Sequence, residues 1–91
     1  MRKPVFLMSA DERITALGFR KVQEHPLCVQ YERENTEFGY TEVLEFGHKK
    51  SGRHLVFLYE KKTNSDGFSN VIGMTEQELK AAVKKLKELG W

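Results

Sequence analysis

Helical patterns occur near both ends of the chain. Residues 9–12 read Ser-Ala-Asp-Glu, and residues 75–78 read Thr-Glu-Gln-Glu. Both fit the capping box, in which a hydroxyl and a glutamate three residues later bond the free backbone N–H groups at a helix start. Each is followed by helical spacing of apolar residues and then by Leu-Gly-aromatic, where glycine adopts the left-handed conformation that ends a helix. The sequence therefore predicts a short helix at residues 10–17 and a longer amphipathic helix at residues 75–91.

The second helix has the stronger pattern, an apolar stripe opposite a row of lysines. The stripe that we predict to pack against the rest of the protein comprises Leu79, Ala82, Val83, Leu86 and Leu89. The lysines that we predict to face solvent are Lys80, Lys84, Lys85 and Lys87. Because the residue after a terminal glycine packs back onto the last turn, we expect Phe19 to contact Ile14 and Trp91 to contact Leu86.

Between the helices, apolar and polar residues alternate with a period of two, which is typical of strands. The predicted strands are residues 19–23, 27–34, 40–46, 54–60 and 68–72. Residues 54–60 are apolar on both faces, as expected of a central strand. Short turns between consecutive strands favour an antiparallel meander. The predicted fold class is α+β: a short N-terminal helix, a meander of four or five strands, and a C-terminal amphipathic helix packed on one face of the sheet.

The size and composition of the chain favour one soluble domain. A chain of 91 residues, 40% of them hydrophobic, is expected to form a single α+β domain over residues 1–91, with residues 1–8 as a flexible or edge-pairing segment. The only cysteine, Cys28, has no partner for an internal disulfide and suits a reducing cytosol. No apolar stretch approaches the roughly 20 residues that a membrane helix requires. We therefore expect a cytoplasmic protein that does not interact with membranes.

The net charge of +2 conceals a separation of charge along the chain. Residues 32–45 contain five glutamates and one arginine, a local charge of −4, whereas residues 46–62 carry a local charge of +4. Alternate turns of a meander lie at opposite ends of the sheet, so the turn at residues 35–39 and the loop at residues 48–53 are predicted to form an acidic end and a basic end. Two interpretations remain open. The charges belong to solvated hairpin tips with Glu–Lys pairs between strands, or the basic loop binds phosphate or an acidic protein surface.

Few residues suggest catalytic or metal chemistry. Zinc requires four tetrahedral ligands, and His25 with Cys28 could join His48 with His54 only if two turns met at one end of the sheet. A lone cysteine on a strand is usually a small buried apolar residue rather than a nucleophile. No glycine loop leads into a helix in the way that phosphate binding requires. We therefore expect no catalytic residue, no metal, no cofactor and no enzyme activity.

Both ends of the chain resemble a group of small proteins from phages and prophages of Gram-positive bacteria. The resemblance lies in Leu-Gly-Phe-Arg-Lys at residues 17–21 and in the frame Thr-x-x-Glu-Leu-Lys-Ala … Glu-Leu-Gly-Trp at residues 75–91. It does not extend to the middle strands, and its motifs are helix caps and core positions. The resemblance implies an origin, and no functional residues follow from it.

The leading hypothesis is that the chain is a phage- or prophage-type accessory protein that binds a protein partner, with inhibition of a host enzyme or defence system as one form. The alternative is a nucleic-acid-binding module that uses the basic loop at residues 48–54. The candidate binding residues are Lys49, Lys50, Arg53, His48 and His54. An exposed sheet edge, for which residues 68–72 are the candidate, could also pair with a second copy to form a homodimer.

Overall fold

A computed structural model describes residue 4 and residues 7–35, 39–62 and 69–91 of the chain. The helices and strands, in chain order, are α1 (Ala10–Ala16), β1 (Arg20–His25), β2 (Cys28–Asn35), β3 (Tyr40–His48), β4 (His54–Lys62), β5 (Ser69–Val71) and α2 (Glu76–Leu89). The α+β fold class with two terminal helices and five strands is confirmed. Most of the N-terminal segment at residues 1–8, the middle of the predicted turn at residues 35–39 and the first residue of the predicted strand at 68–72 lie outside the described residues.

The five strands form one antiparallel sheet in the order β1-β2-β3-β4-β5, which is the predicted meander. The β3–β4 loop is closed by two backbone hydrogen bonds: the N–H of Lys49 donates to the carbonyl of Arg53, and that of Gly52 to the carbonyl of Lys49, both at 2.9 Å. The N–H of His48 donates to the carbonyl of Leu27 at 3.0 Å. The β1–β2 turn and the β3–β4 loop therefore share one end of the sheet, opposite the β2–β3 turn, as predicted.

Residues 54–60 form an interior strand between β3 and β5, as predicted, but β5 covers only part of it. β3 lies at the centre of the sheet, and β5 pairs with β4 only at residues 59–61. One further bond follows, in which the N–H of Ile72 donates to the carbonyl of Leu58 at 3.1 Å. Within the described residues, no strand lies beside residues 54–57 on the side away from β3. The first half of β4 is therefore an edge, and its apolar residues on the open face require another explanation.

The core lies between one face of the sheet and the two helices. Its buried members are Ile14, Phe19, Val29, Tyr31, Leu44, Phe46, Leu58, Ala81 and Ala82. The backbone N–H of Phe19 donates to the carbonyl of Ile14 at 3.3 Å, which confirms the predicted return of this residue onto α1. The rings of Tyr31 and Phe46 meet edge to face with centroids 5.9 Å apart. Residues on the other face, such as Gln30 and Glu45, lie on the side of the sheet away from the helices, so the sheet has a helix-covered face and an open face.

Both ends of α2 form as predicted. The hydroxyl of Thr75 accepts from the backbone N–H of Glu78 at 3.1 Å, and the Glu78 carboxylate accepts from the N–H of Thr75 at 2.8 Å. Gly90 ends the helix in the left-handed conformation, with φ of 62°. Ser9 and Glu12 form the same reciprocal capping box at the start of α1. These caps involve residues three apart, which is why the sequence alone predicts them.

The predicted apolar stripe of α2 is partly wrong because the helix is rotated. The buried residues of the helix are Glu78, Ala81, Ala82 and Lys85. The stripe residues that are exposed instead are Leu79, at 53%, and Val83, at 41%. Glu78 pairs with Arg33 at 2.8 Å and Lys85 pairs with Asp11 at 3.0 Å. These ion pairs span the fold and favour a rotation that a count of apolar residues along the helix does not include.

The pairs belong to two polar clusters that join the helices to the sheet. Asp11 of α1 accepts from Lys85 of α2 and from Lys21 of β1, both at 3.0 Å, and from the hydroxyl of Tyr31 of β2. Burial opposes ionisation of Asp11, but the hydrogen bonds from Tyr31, Lys21 and Lys85 outweigh it and lower the pKa from 3.8 to about 2. This carboxylate is therefore a charged junction of four elements.

Arg33 of β2 makes the second cluster. Its guanidinium donates to Glu42 of β3 at 2.5 Å, to Glu78 of α2 at 2.8 Å and to the carbonyl of Leu17 at 2.7 Å. It also lies over the ring of Phe19, with 4.2 Å to the centroid. Three hydrogen bonds and a ring contact hold this side chain within the fold, so the cluster is structural.

None of the helices in the described residues is long and apolar enough to cross a membrane.

Candidate functional site

The basic loop, residues 49–53, protrudes from one end of the sheet. Lys49, Lys50 and Arg53 are exposed, and among the described residues no carboxylate lies within ion-pair distance of any of the three. Gly52, with φ of 85°, gives the chain the left-handed conformation that closes this turn. Three cations held close together with no internal partner are available to bind an external anion.

The predicted acidic end has a different character, because its carboxylates are paired across strands. Glu32 pairs with Lys61 at 3.5 Å, and Glu34 pairs with Arg20 at 3.6 Å. Glu42 is held by Arg33, and Glu37 lies outside the described residues. The charge separation read along the chain is therefore largely neutralised at this end by neighbours in the sheet. The three cations of the basic loop, in contrast, have no ion-pair partner among the described residues.

His48 and His54, both predicted binding residues, do not belong to the exposed surface of the loop. They pair across β3 and β4 on the helix-covered face, with ring centroids 5.0 Å apart. The ring of Trp91 lies against both, at 5.4 and 5.9 Å. Nδ1 of His48 and Nε2 of His54 are buried without a hydrogen-bond partner among the described residues. These histidines pack against Trp91, the residue after the glycine that ends α2, and lie apart from the exposed cations of the loop. The contact of Trp91 with Leu86 stays a prediction.

The free edge of β4 begins where the basic loop ends. The carbonyl of Leu58 points away from β3, since it accepts from the N–H of Ile72. Backbone groups in an antiparallel strand alternate in direction, so the N–H and C=O groups of Val56 and His54 point the same way. Within the described residues, no strand pairs with those four groups. They form a short row of donors and acceptors that a further strand can use.

Apolar side chains are exposed on the open face beside this edge. Phe57 is 43% exposed on the open face, and Val71, which pairs beside Tyr59 on the same face, is 84% exposed. The exposed Leu79 and Val83 belong to a different surface, the flank of α2 opposite the flank that packs on α1, as helical spacing from the α1-facing residues of α2 shows.

We call this region the β4 edge surface: the backbone of residues 54–57 together with Phe57 and Val71. In the described part of the chain these are two of the eight large hydrophobic residues that are exposed. Scattered exposed apolar residues are normal, whereas clustered ones mark an interaction surface. The sequence pattern placed Phe57 in a central strand and Val71 in the candidate sheet edge at residues 68–72, because an apolar pattern does not distinguish an internal surface from an interface.

The four residues considered for zinc binding are not brought together in the structure. His25 and Cys28 pair on the open face, so the sheet separates them from His48 and His54 and the four-ligand zinc arrangement does not form. Among the residues that the structure describes, no three side chains of metal-binding type are grouped to hold an ion. Burial and the nearby Glu45 carboxylate raise the pKa of the Cys28 thiol, which opposes the thiolate that a nucleophile needs.

A small cavity lies between the helices and is apolar in character. Its volume is about 210 Å³, and it is lined by Met8, Arg13, Ala16, Leu17, Gln77 and Lys80. A binding cavity for a small molecule usually combines an apolar lining with several convergent polar groups. The polar side chains in this lining, Arg13, Gln77 and Lys80, lie on the flanks of the two helices, and the surface between them is mostly apolar.

Comparison with known proteins gives no match: no protein family, no curated protein and no solved structure resembles the chain closely enough to be identified. Function therefore has to be argued from the basic loop and the β4 edge surface.

Proposed function

We propose that the chain is a small accessory protein that acts by binding a protein partner through the basic loop and the adjoining β4 edge surface. The observation that carries the proposal is the continuity of the two features. Lys49, Lys50 and Arg53, which have no ion-pair partner among the described residues, lead directly into a strand that exposes Phe57 and whose first half is unpaired on one side within the same residues.

The chemistry of this surface suits a protein interface. Protein-binding surfaces combine an apolar centre containing aromatic residues with a polar or charged rim. Here Phe57 and the aliphatic residues around it supply the apolar part, and the basic loop supplies a charged border. The loop's cations also favour rapid encounter with an acidic partner, since long-range attraction raises association rates.

The resemblance of both ends of the chain to phage and prophage proteins supports a more specific form of this proposal. An accessory protein of a phage that binds a host protein can inhibit a host enzyme or defence system by covering its working surface. In this form, the chain needs no catalytic residue of its own. The inhibitory role rests on that resemblance, whereas binding rests on the surface.

The test begins with affinity capture from a lysate of a Gram-positive host and continues with the purified partner. Binding of that partner is measured for the wild-type chain and for the triple variant Lys49→Glu, Lys50→Glu, Arg53→Glu. The matched control is Lys80→Glu, Lys84→Glu, Lys87→Glu, which makes the same change in net charge on the outer side of α2. We expect the loop variant to lose at least about tenfold in affinity, equal to about 1.4 kcal/mol, and the control to lose much less.

Equal effects of the two triple variants would contradict the proposal, because only net charge would then matter. Saturable binding that neither variant changes would place the interface elsewhere. Circular dichroism of each variant verifies that the fold is kept before the affinities are compared.

A nucleic-acid-binding module is the second candidate, favoured by the same three unpaired cations. If Lys49, Lys50 and Arg53 grip phosphates, the logarithm of the affinity falls steeply with the logarithm of salt concentration. A gel-shift titration over salt measures that slope. No shift at micromolar protein, or a shift insensitive to salt, excludes this candidate and leaves the protein-binding proposal in place.

A further inference from the structure

We infer that the free edge of β4 receives an extended segment of the partner protein as an additional strand, and that this segment is apolar at alternate positions and acidic at the end near the basic loop. This inference rests on the proposed function and specifies how the partner is held.

The backbone provides the first argument. The outward N–H and C=O groups of His54 and Val56 are a template for strand addition, in which main-chain hydrogen bonds supply affinity and flanking side chains supply specificity. The opposite edge of the sheet lacks this property. β1 is interrupted by an irregularity between Lys21 and Gln23 and carries exposed charged side chains, both of which protect an edge from pairing.

The side chains provide the second argument. Successive residues of an added strand point to opposite faces of the sheet. On the open face they would meet Leu55 and Phe57. A segment with apolar residues at alternate positions would place them on this face and cover both side chains. This accounts for the exposed apolar residues on the open face of the first half of β4.

Charge provides the third argument and fixes the chemistry of one end of the segment. A strand that runs along residues 54–57 and continues past His54 reaches the basic loop, whose cations lack a partner in the described part of the chain. At the other end β5 occupies the edge from Leu58 onward, so the added strand can extend only toward the loop. Acidic residues in the partner segment would therefore meet Lys49, Lys50 and Arg53.

A second copy of the chain fits this edge less well. Two β4 edges that pair with each other can overlap only over residues 54–57, because β5 of each copy occupies the edge beyond. The segment that would continue past the overlap is the cationic loop itself, which has the wrong charge. A separate acidic segment is free of both restrictions.

The experiment uses two synthetic decapeptides as probes, each with alternating valine and threonine and with two glutamates at either the N-terminal or the C-terminal end. Each is titrated into the full chain and followed by NMR with amide hydrogen exchange. We expect saturable binding of one peptide with Kd below about 1 mM, which also gives the direction of the added strand. The amide protons of His54 and Val56 should gain protection, while those of Leu55 and Phe57, which face β3, should change little.

Variants and a modified peptide separate strand addition from general adhesion. Phe57→Lys should weaken binding at least about tenfold, whereas Val22→Lys, at a residue of nearly equal exposure (41% against 43%) on the other edge, should leave it within twofold. A peptide N-methylated at its valines and its threonines cannot donate the ladder hydrogen bonds and should not bind. Replacing the two glutamates by lysines should also weaken binding at least about tenfold.

The inference is overturned if neither peptide binds, if the N-methylated peptide binds equally well, or if protection appears away from residues 54 and 56. Protection that rises with protein concentration in the absence of peptide would identify a second copy as the occupant and overturn the assignment to an acidic segment. These results leave the proposed function separately testable, because a purified partner can still bind through the basic loop.

Discussion

Replacement of Asp11 by asparagine tests the charged junction that holds α1, α2 and the sheet together. Asp11→Asn keeps the size of the side chain but removes the charge that faces Lys21 and Lys85. The Lys85 side chain is only 8% exposed, so the substitution leaves a nearly buried ammonium group without its counter-ion. The consequence should be a loss of stability rather than a change in the shape of the binding surface.

The magnitude follows from the pKa of Asp11. A fall in pKa from 3.8 to about 2 corresponds to about 2.4 kcal/mol at about 1.36 kcal/mol per pKa unit. The Asp11 side chain is 42% exposed, and solvent screening reduces this figure. We therefore expect Asp11→Asn to cost about 1–2 kcal/mol at pH 7. For a domain of this size, each kcal/mol lowers the melting temperature by roughly 4–8 °C.

The pH dependence gives the sharper test. The pKa of Asp11 is lower in the folded state, so its contribution to stability is complete above about pH 4 and is lost as pH falls through about 2. Urea denaturation of the wild type and of Asp11→Asn should show a difference at pH 7 that shrinks toward pH 2. Glu76→Gln is the control, since its exposed ion pair with Lys80 should contribute less than about 0.5 kcal/mol. A difference within about 0.3 kcal/mol at pH 7, or one unchanged at pH 2, would refute the reasoning.

Three further substitutions and titrations test the caps, the end of α2 and the open face. Thr75→Ala removes the hydroxyl that caps α2 and should lower the free energy of unfolding by about 1 kcal/mol in urea denaturation. A change below about 0.3 kcal/mol would contradict a stabilising role of this cap. Trp91→Ala should lower the free energy of unfolding by about 1–3 kcal/mol, because the ring packs on His48 and the neighbouring imidazole. The affinity for the peptide should stay within twofold. An unchanged melting curve would show that the ring contributes nothing to stability. Burial and a hydrogen bond to Glu45 raise the pKa of Tyr59 to about 12. Glu45→Gln should therefore lower the pKa of Tyr59 measured by ultraviolet titration. A Tyr59 pKa near 10 in the wild type would contradict this.

The parts of the fold that the sequence predicts are those governed by neighbours a few residues apart. The two capping boxes depend on residues three apart, and Gly90 depends only on its own conformational freedom. The alternating pattern likewise predicts which side of β2 and β3 enters the core, so Val29 and Phe46 are buried as the pattern indicates. The order of the five strands in the sheet follows from the short connections between consecutive strands.

The parts that the sequence does not predict depend on contacts across the fold. Lys85 reads as a solvent-facing lysine, yet it pairs with Asp11, which lies 74 positions earlier. The paired state of Glu34 likewise depends on Arg20 of a neighbouring strand. Both interactions are set by the register of the sheet and the docking of the helices, which no local pattern contains.

The candidate site was predicted in part. The basic loop with Lys49, Lys50 and Arg53 is where the sequence places it, and its cations are exposed. The two histidines predicted beside them pack under Trp91 instead. The β4 edge surface was missed because its apolar residues follow the same pattern as a core strand, and only the short length of β5 reveals that part of this strand is uncovered.

Site-specific photo-crosslinking tests the central claim, binding at the free edge of β4, most directly. Phe57 is replaced by p-benzoylphenylalanine in one chain and Val22, of nearly equal exposure, in another. Each is irradiated with the purified partner. The account predicts a crosslink from position 57 to an extended, acidic segment of the partner, and little from position 22. Equal crosslinking at both positions, or crosslinking at position 22 alone, would contradict it.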